Sequence, residues 1–210
     1  MPTVLRALLL SAVLTLVPIG VGVMVADDSP PEPPPVAAYE GTPLADFDTS
    51  TALVQRSPFC DRVPPEAVRE ALGGDGELAA YGNGESTAAL PGGTDVAHEY
   101  GCVFSGAGGA EARGWLFVPP VTLAEARGLV RTVVTRGCTA QAGAAAYGDP
   151  SVAVVCTSKN SSTASFRGLF GDAWLACSLT VRESVPAEQL LETTGRWCVA
   201  VIQAASPTAS

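Results

Sequence analysis

The stretch that decides the fold is GDAWLACSLTVRESVPAEQLLETTGRWCVAVIQAA, residues 171–205. Side chains alternate along its first part, so a predicted strand carries Cys177 on one side and Trp174 on the other. Apolar residues then recur at spacings of three and four, which predicts an amphipathic helix with Trp197 and Cys198 on its apolar side. Because that side would cover the strand face that carries Cys177, we predict a Cys177–Cys198 disulfide.

A similar order of elements precedes this stretch. Residues 100–105 and 115–118 are predicted strands, and a capping box at Thr122 and Glu125 begins a helix that we expect to end at Gly137. The shared order predicts a duplicated strand-strand-helix unit. The fold class is therefore α+β, with helices on one face of an antiparallel sheet.

The remaining elements are short. A first helix follows Cys60, with prolines at its start and Gly73 at its end. Residues 73–96 form a long connection that holds one weak strand. Further along the chain we predict a strand, a polar loop and a second short strand, at residues 152–156, 158–165 and 166–170.

The cysteines predict three disulfides. Six are present, an even number, at positions 60, 102, 138, 156, 177 and 198. In an exported chain such a set forms a disulfide framework. We expect Cys138 to reach Cys156 and Cys60 to join the first helix to Cys102. No two cysteines have the close spacing of metal ligands, so we expect neither a metal nor another cofactor.

The N-terminal half of the first 52 residues predicts export. Residues 7–26 are an uncharged apolar run that follows Arg6, so residues 1–26 form a transmembrane anchor or a cleaved signal peptide. Residues 27–52 are rich in proline and acids, which predicts a disordered stalk. An extracytoplasmic domain would occupy residues 53–206 and a disordered tail residues 207–210. We expect a single-pass protein of the cell membrane, or a secreted protein if the segment is cleaved.

Charge and motifs exclude several functions. The net charge of −9 repels phosphate backbones, so nucleic acid is not an expected partner, and membrane contact is expected only through the N-terminal helix. No nucleophile elbow is present, and His98, the single histidine, lies in a polar segment where we expect it to be solvated. We therefore assign no catalytic residue. Hydrolysis by two carboxylates that the fold brings together is the remaining catalytic alternative.

An aromatic patch is the candidate ligand-binding site. By alternation Trp115, Phe117 and Trp174 face away from the helices, and Arg113 and Arg167 flank them. Exposed aromatic surface is typical of ligand or partner contacts. The alternative is that the first helix or the connection at 73–96 covers these rings.

Four short motifs carry a resemblance to known proteins, namely SPFC at 57–60, YGDPS at 147–151, GLFGDAW at 168–174 and RWC at 196–198. With them the chain resembles small actinobacterial envelope proteins of unknown function. It is also loosely similar to exported lipoproteins and to extracellular sensor domains of bacterial Ser/Thr kinases, although it has no lipid-accepting cysteine. The resemblance implies an envelope location and this fold, and it supplies no catalytic residues.

Two functions remain in competition. The first is a non-catalytic extracytoplasmic binding or interaction module, whose partner is an envelope protein or a small ligand of unknown identity. The second is an exported hydrolase that uses a carboxylate pair. A deep cleft lined by two or more acids would favour the hydrolase, and a shallow aromatic face would favour the binding module.

Overall fold

The computed structural model describes residues 39–87, 95–135, 137–182 and 185–207. The predicted anchor or signal segment lies outside these residues, as do residues 27–38 of the predicted stalk and residues 208–210. Within the described ranges, no helix has the length and hydropathy that a bilayer crossing requires.

The described chain is built on a seven-stranded antiparallel sheet. The strands are β1 Glu77–Tyr81, β2 Ser86–Thr87, β3 Asp95–Val96, β4 Glu99–Ser105, β5 Glu111–Phe117, β6 Cys138–Ala140, β7 Ser151–Thr157, β8 Ser162–Phe170 and β9 Ala173–Val181. The strand order in the large sheet is β1-β4-β5-β9-β8-β7-β6. The short strands β2 and β3, which lie between β1 and β4 in the sequence, form a separate antiparallel pair.

Two antiparallel meanders meet at the centre of this sheet. One contains β1, β4 and β5, and the other contains β6 to β9. They join where β5 pairs with β9, with Trp115 opposite Ala176. The two strand pairs of the predicted duplicated unit, β4–β5 and β8–β9, lie side by side in the sheet.

Within the described residues, three α-helices pack on the sheet: α1 Pro65–Leu72, α2 Leu123–Thr132 and α3 Ala187–Ala205. The long helix α3 covers the face that carries Phe104, Gly114 and Cys177, which we call the inner face. On this face the Trp197 ring meets Phe104 edge-on at 5.6 Å between centroids. A Cβ atom at Gly114 would lie 3.1 Å from Val201, so the glycine lets α3 approach the sheet closely.

Helix α2 packs on the opposite, outer face. Its Ala126 is buried together with Val121, Leu169 and Trp174. Trp174 alternates with the inner-face residues of β9, so this cluster lies on the other side of the sheet. Backbone bonding explains the placement, because Val121 N donates to Asp172 O at 2.9 Å and so fixes the start of α2 beside the entry to β9. The α+β class and the antiparallel sheet are confirmed. We expected all helices on one face of the sheet, but α2 lies on the outer face and α3 on the inner face.

All three predicted disulfide pairs are present. Cys60–Cys102 and Cys177–Cys198 have Cα atoms 5.5 Å apart, and both are buried on the inner face. Cys138–Cys156 joins directly opposed residues of β6 and β7 on the outer face, with Cα atoms 3.9 Å apart. Each crosslink stabilises the fold by about 2–4 kcal/mol, mainly by restricting the unfolded chain.

The folded region begins earlier than residue 53, where we placed the domain boundary. Leu44 is buried in the main core, and residues 39–52 belong to the same compact unit as the sheet. The Glu70 carboxylate holds this segment, because its Oε2 accepts a bond from Gly41 N at 3.0 Å and its Oε1 pairs with Arg196 Nε at 2.8 Å. A few apolar side chains are enough to order the segment because α3 offers a surface for them.

Strand β8 begins at Ser162, inside the stretch that we predicted to be a polar loop. Its polar side chains pair across strands, since the hydroxyl oxygens of Thr163 and Thr180 lie 2.9 Å apart. Helix α2 ends at Thr132 rather than at Gly137. In both places the predicted element is present, but the residue at which we expected it to begin or end is wrong.

Candidate functional site

The structure divides the predicted aromatic patch. Trp174 is only 3% exposed, because Ala126 of α2 and Val121, just before α2, are buried together with it. Phe117 is partly buried against the same cluster. Trp174 is therefore part of a small second core and is closed to a ligand, while Phe117 packs at the edge of that core and keeps partial exposure. The covering element is α2, whereas we had considered only the first helix and the connection at 73–96.

Trp115 and Arg167 remain together on the outer face. Trp115 of β5 pairs with Ala176 of β9, and Ala176 pairs with Arg167 of β8. Because the Ala176 side chain is small, the Trp115 and Arg167 side chains meet above it. The Arg167 guanidinium carbon lies 5.6 Å from the centre of the Trp115 ring, which is the geometry of a cation–π contact. Burial lowers the pKa of Arg167 from its usual value. The Nε atom of Arg167 is buried and has no hydrogen-bond partner among the described residues.

Arg113 lies on the same face and is bound to its own strand. Its Nε and a terminal nitrogen contact the two Glu111 carboxylate oxygens at 2.6 and 3.1 Å. A paired guanidinium is a weaker attractant for a ligand anion than a free one, because its carboxylate partner must first be displaced.

Tyr81 closes the β1 end of this face. Its ring lies over Gly101, where any side chain would collide with it. The hydroxyl donates to Glu99 Oε1 at 2.6 Å, and burial together with this carboxylate raises the pKa of Tyr81. Tyr81, Trp115 and Arg167 therefore occupy one row of cross-strand positions on the outer face, and all three are partly exposed.

A second candidate site lies on the inner side of the sheet, beside the first half of α3. It is a cleft of about 510 Å³, which we call the α3 cleft. Three separate parts of the chain line it: residues 43–45, residues 141–145 and one side of α3, with Phe166 of β8. Its lining residues are Pro43, Leu44, Ala45, Gln141, Gly143, Ala144, Ala145, Phe166, Glu188, Leu191, Glu192 and Gly195.

The walls of the α3 cleft are held by packing. Leu44 lies in the main core, and a Cβ atom at Gly195 would be 3.1 Å from the Leu44 Cβ, so the absence of a side chain at 195 brings residue 44 against α3. The bonds from Glu70 to Gly41 and Arg196 fix the same wall from the other side. On the facing wall, Ala144 and Ala145 pack against the main core.

Two carboxylates stand at the mouth of the α3 cleft. Glu188 and Glu192 are four residues apart on α3, so they lie on the same side of the helix. Glu192 pairs with Arg196 at 2.7 Å. Both glutamates are solvent-exposed, whereas the interior of the cleft is formed by apolar groups.

The other groups considered for chemistry have structural roles. All six cysteines are in disulfides, and His98 is exposed, as predicted. Asp172 forms an ion pair with Arg56, which lowers the pKa of Asp172, and Glu125 completes the predicted capping box. Within the described part of the chain, no group of three or more His, Cys, Asp or Glu residues could hold a metal ion.

Comparison with known proteins adds no relative: no protein-family model matches the sequence, and a search of curated proteins finds no match. The candidate sites therefore rest on geometry. The apolar periodicity that predicted helix α3 accounts for the α3 side of the cleft. Sequence patterns gave no signal that residues 43–45 and 141–145 would meet there, because these contacts join segments about 100 residues apart.

Proposed function

We propose that the chain is a non-catalytic extracytoplasmic binding module of the cell envelope, and that the α3 cleft holds a small, largely apolar ligand. The observation that carries this proposal is the cleft itself, with a volume of about 510 Å³ and a mostly apolar lining that includes Leu44, Phe166 and Leu191. Small-molecule sites are typically concave and mostly apolar, with volumes of about 300–1,000 Å³.

Preformed walls favour this use of the cleft. Leu44 and Gly195 are already in contact, and Glu70 joins the segment before Leu44 to α3. A ligand that enters such a site orders few side chains, so less of its contact energy is lost to entropy. The location outside the cytoplasm is supported by three disulfides and by the apolar run at residues 7–26.

The outer face is a secondary contact surface in this proposal. Of the five residues predicted there, Trp174 is buried, and Trp115, Phe117, Arg113 and Arg167 keep partial exposure. A shallow surface of this kind suits a flat partner, since it offers an aromatic ring and a guanidinium but little enclosure.

The competing hydrolase has one observation in its favour, because Glu188 and Glu192 both line the cleft. Catalysis by a carboxylate pair requires the two groups to flank the bond that breaks, one acting as acid and the other as base or nucleophile. Glu188 and Glu192 instead follow one another on the same helix surface, and Glu192 is paired with Arg196. This arrangement favours binding over hydrolysis.

Ligand-observed NMR with a neutral probe tests the proposal. The probe is 3-phenylpropanol and the protein is the full-length chain. We expect saturable binding that is weakened by Gly143→Leu, because a Cβ atom at position 143 meets no atom within 4 Å and a leucine there takes up cleft space.

Gly74→Leu is the matched control, since a Cβ atom at position 74 also meets no atom within 4 Å and Gly74 does not line the α3 cleft. Leu191→Ala should weaken binding about tenfold through lost apolar contact. Equal binding by the wild type, Gly143→Leu and Leu191→Ala would show that the probe does not occupy the cleft, and the proposal would fail.

A further inference from the structure

The charged residues that line the α3 cleft are of one sign. Glu188 and Glu192 are both acidic, and the remaining lining residues of this cleft are uncharged. The described side chains therefore present a negative mouth above an apolar interior. Such a distribution attracts a cation to the mouth while the interior accepts a hydrocarbon body.

The one guanidinium beside this mouth is already shared. Arg196 contacts Glu192 at 2.7 Å and Glu70 at 2.8 Å, so two carboxylates divide its charge. Among the described residues, Glu188 has no ion-pair partner. Two carboxylates thus share the Arg196 charge, and Glu188 adds a further negative charge at the mouth, so the local balance is negative.

The spacing of the two glutamates has an energetic consequence. Like charges four residues apart on a helix repel one another and destabilise it. Here the pair lies directly at the opening of a cleft, in a chain whose net charge is −9. A bound cation would offset this repulsion, and an anion would add to it.

We infer that the ligand of the α3 cleft has an apolar body and a cationic head, such as an amine or a guanidinium. This inference rests on the proposed binding function and specifies its ligand class. The apolar body packs against Phe166 and Leu191, and the head lies between Glu188 and Glu192 at the mouth.

Three probes with the same apolar body test the charge preference: 3-phenylpropylamine, 3-phenylpropanol and 3-phenylpropionate, which are cationic, neutral and anionic at pH 7. Binding to the full-length chain is measured by ligand-observed NMR. We expect the amine to bind about fivefold more tightly than the alcohol, the size of effect expected from a solvent-exposed ion pair. The acid should bind most weakly, and added salt should reduce the spread because it screens exposed charges.

The double variant Glu188→Gln/Glu192→Gln should bind all three probes with similar affinity. The control variant Glu66→Gln/Glu77→Gln removes the same amount of charge from exposed positions outside the cleft and should keep the wild-type order. Equal affinities in the wild type would overturn the cationic ligand but leave the binding function standing. Absence of binding by all three probes would overturn both, and a preference that the Glu66/Glu77 control also loses would assign it to net charge rather than to this cleft.

Discussion

The two faces of the sheet are built differently. On the inner face, α3 lies along the strands, two disulfides are buried, and the Trp197 indole donates to Arg113 O at 2.9 Å. On the outer face, α2 covers only the region of Trp174 and Leu169, and the third disulfide is partly exposed. Stability is therefore expected to reside mainly on the inner face, while the outer face has exposed side chains that can contact a partner.

The same residue type behaves differently on these faces. Trp197 is 1% exposed and packs in the main core, Trp174 is buried in the small second core, and Trp115 remains partly exposed beside Arg167. A tryptophan therefore does not identify a binding surface by itself, because its role depends on which helix reaches it.

The largest expected effect comes from removing an inner-face ring. Trp197→Ala should lower the free energy of unfolding by about 4 kcal/mol, since it leaves a large cavity and removes a buried hydrogen bond. Trp115→Ala, the outer-face counterpart, should cost about 1 kcal/mol or less, mostly through the lost cation–π contact. Denaturant unfolding under oxidising conditions measures both. Similar losses in the two variants would mean that the faces do not differ in stability.

The disulfides sharpen the comparison at an intermediate scale. Cys177–Cys198 and Cys138–Cys156 have sequence separations of 21 and 18, so the loop entropy of each contributes about 3 kcal/mol. Their exposure differs, and access governs attack by an external thiol. Graded dithiothreitol treatment followed by alkylation and peptide mapping should detect Cys138 and Cys156 first. Earlier labelling of Cys177 or Cys198 would contradict the assignment of the inner face as the more protected one.

The smallest expected effect concerns the cap of α2. The backbone N–H and the hydroxyl of Thr122 donate to the Glu125 carboxylate, and these bonds lower the pKa of Glu125 from 4.5. Because the pKa is depressed in the folded state, the stabilisation is present above the unfolded value and is lost as pH falls through the folded value. Thr122→Ala should cost about 1 kcal/mol at neutral pH and remove this acid dependence.

Urea unfolding at several pH values between 3 and 7 checks this prediction. Glu125→Gln is the matched variant, because glutamine can still accept the capping bond but does not titrate. It should lose the acid dependence while keeping most of the stability at neutral pH. An unchanged pH profile in both variants would rule out Glu125 as its source.

Sequence patterns were most informative where periodicity and covalent chemistry agreed. Alternation in β9 and the apolar side of α3 placed Cys177 and Cys198 in contact, and the order of elements gave the other two disulfide pairs. The capping box at Thr122 and Glu125 formed as expected. Such signals are local, so they survive whatever the rest of the chain does.

The patterns failed where contacts were distant. The apolar side of α2 indicates that this side is buried, but its periodicity does not identify which face of the sheet the helix covers. The bond from Val121 N to Asp172 O, which joins the connection after β5 to the β8–β9 turn, fixes that choice. Leu44 was placed in a stalk because its neighbours are polar and proline-rich, yet Gly195 of α3 provides space for it.

The sequence by itself determined the class of the fold and the three disulfide pairs, because these follow from the spacing of residues along the backbone. It also determined the net negative charge of the chain. Only the tertiary structure decided which aromatic side chains are covered and where a cleft opens. The α3 cleft brings residues 43–45, residues 141–145 and α3 together. The shape of the cleft and its negative mouth depend on contacts between segments that are far apart in the sequence, and sequence patterns do not specify such contacts.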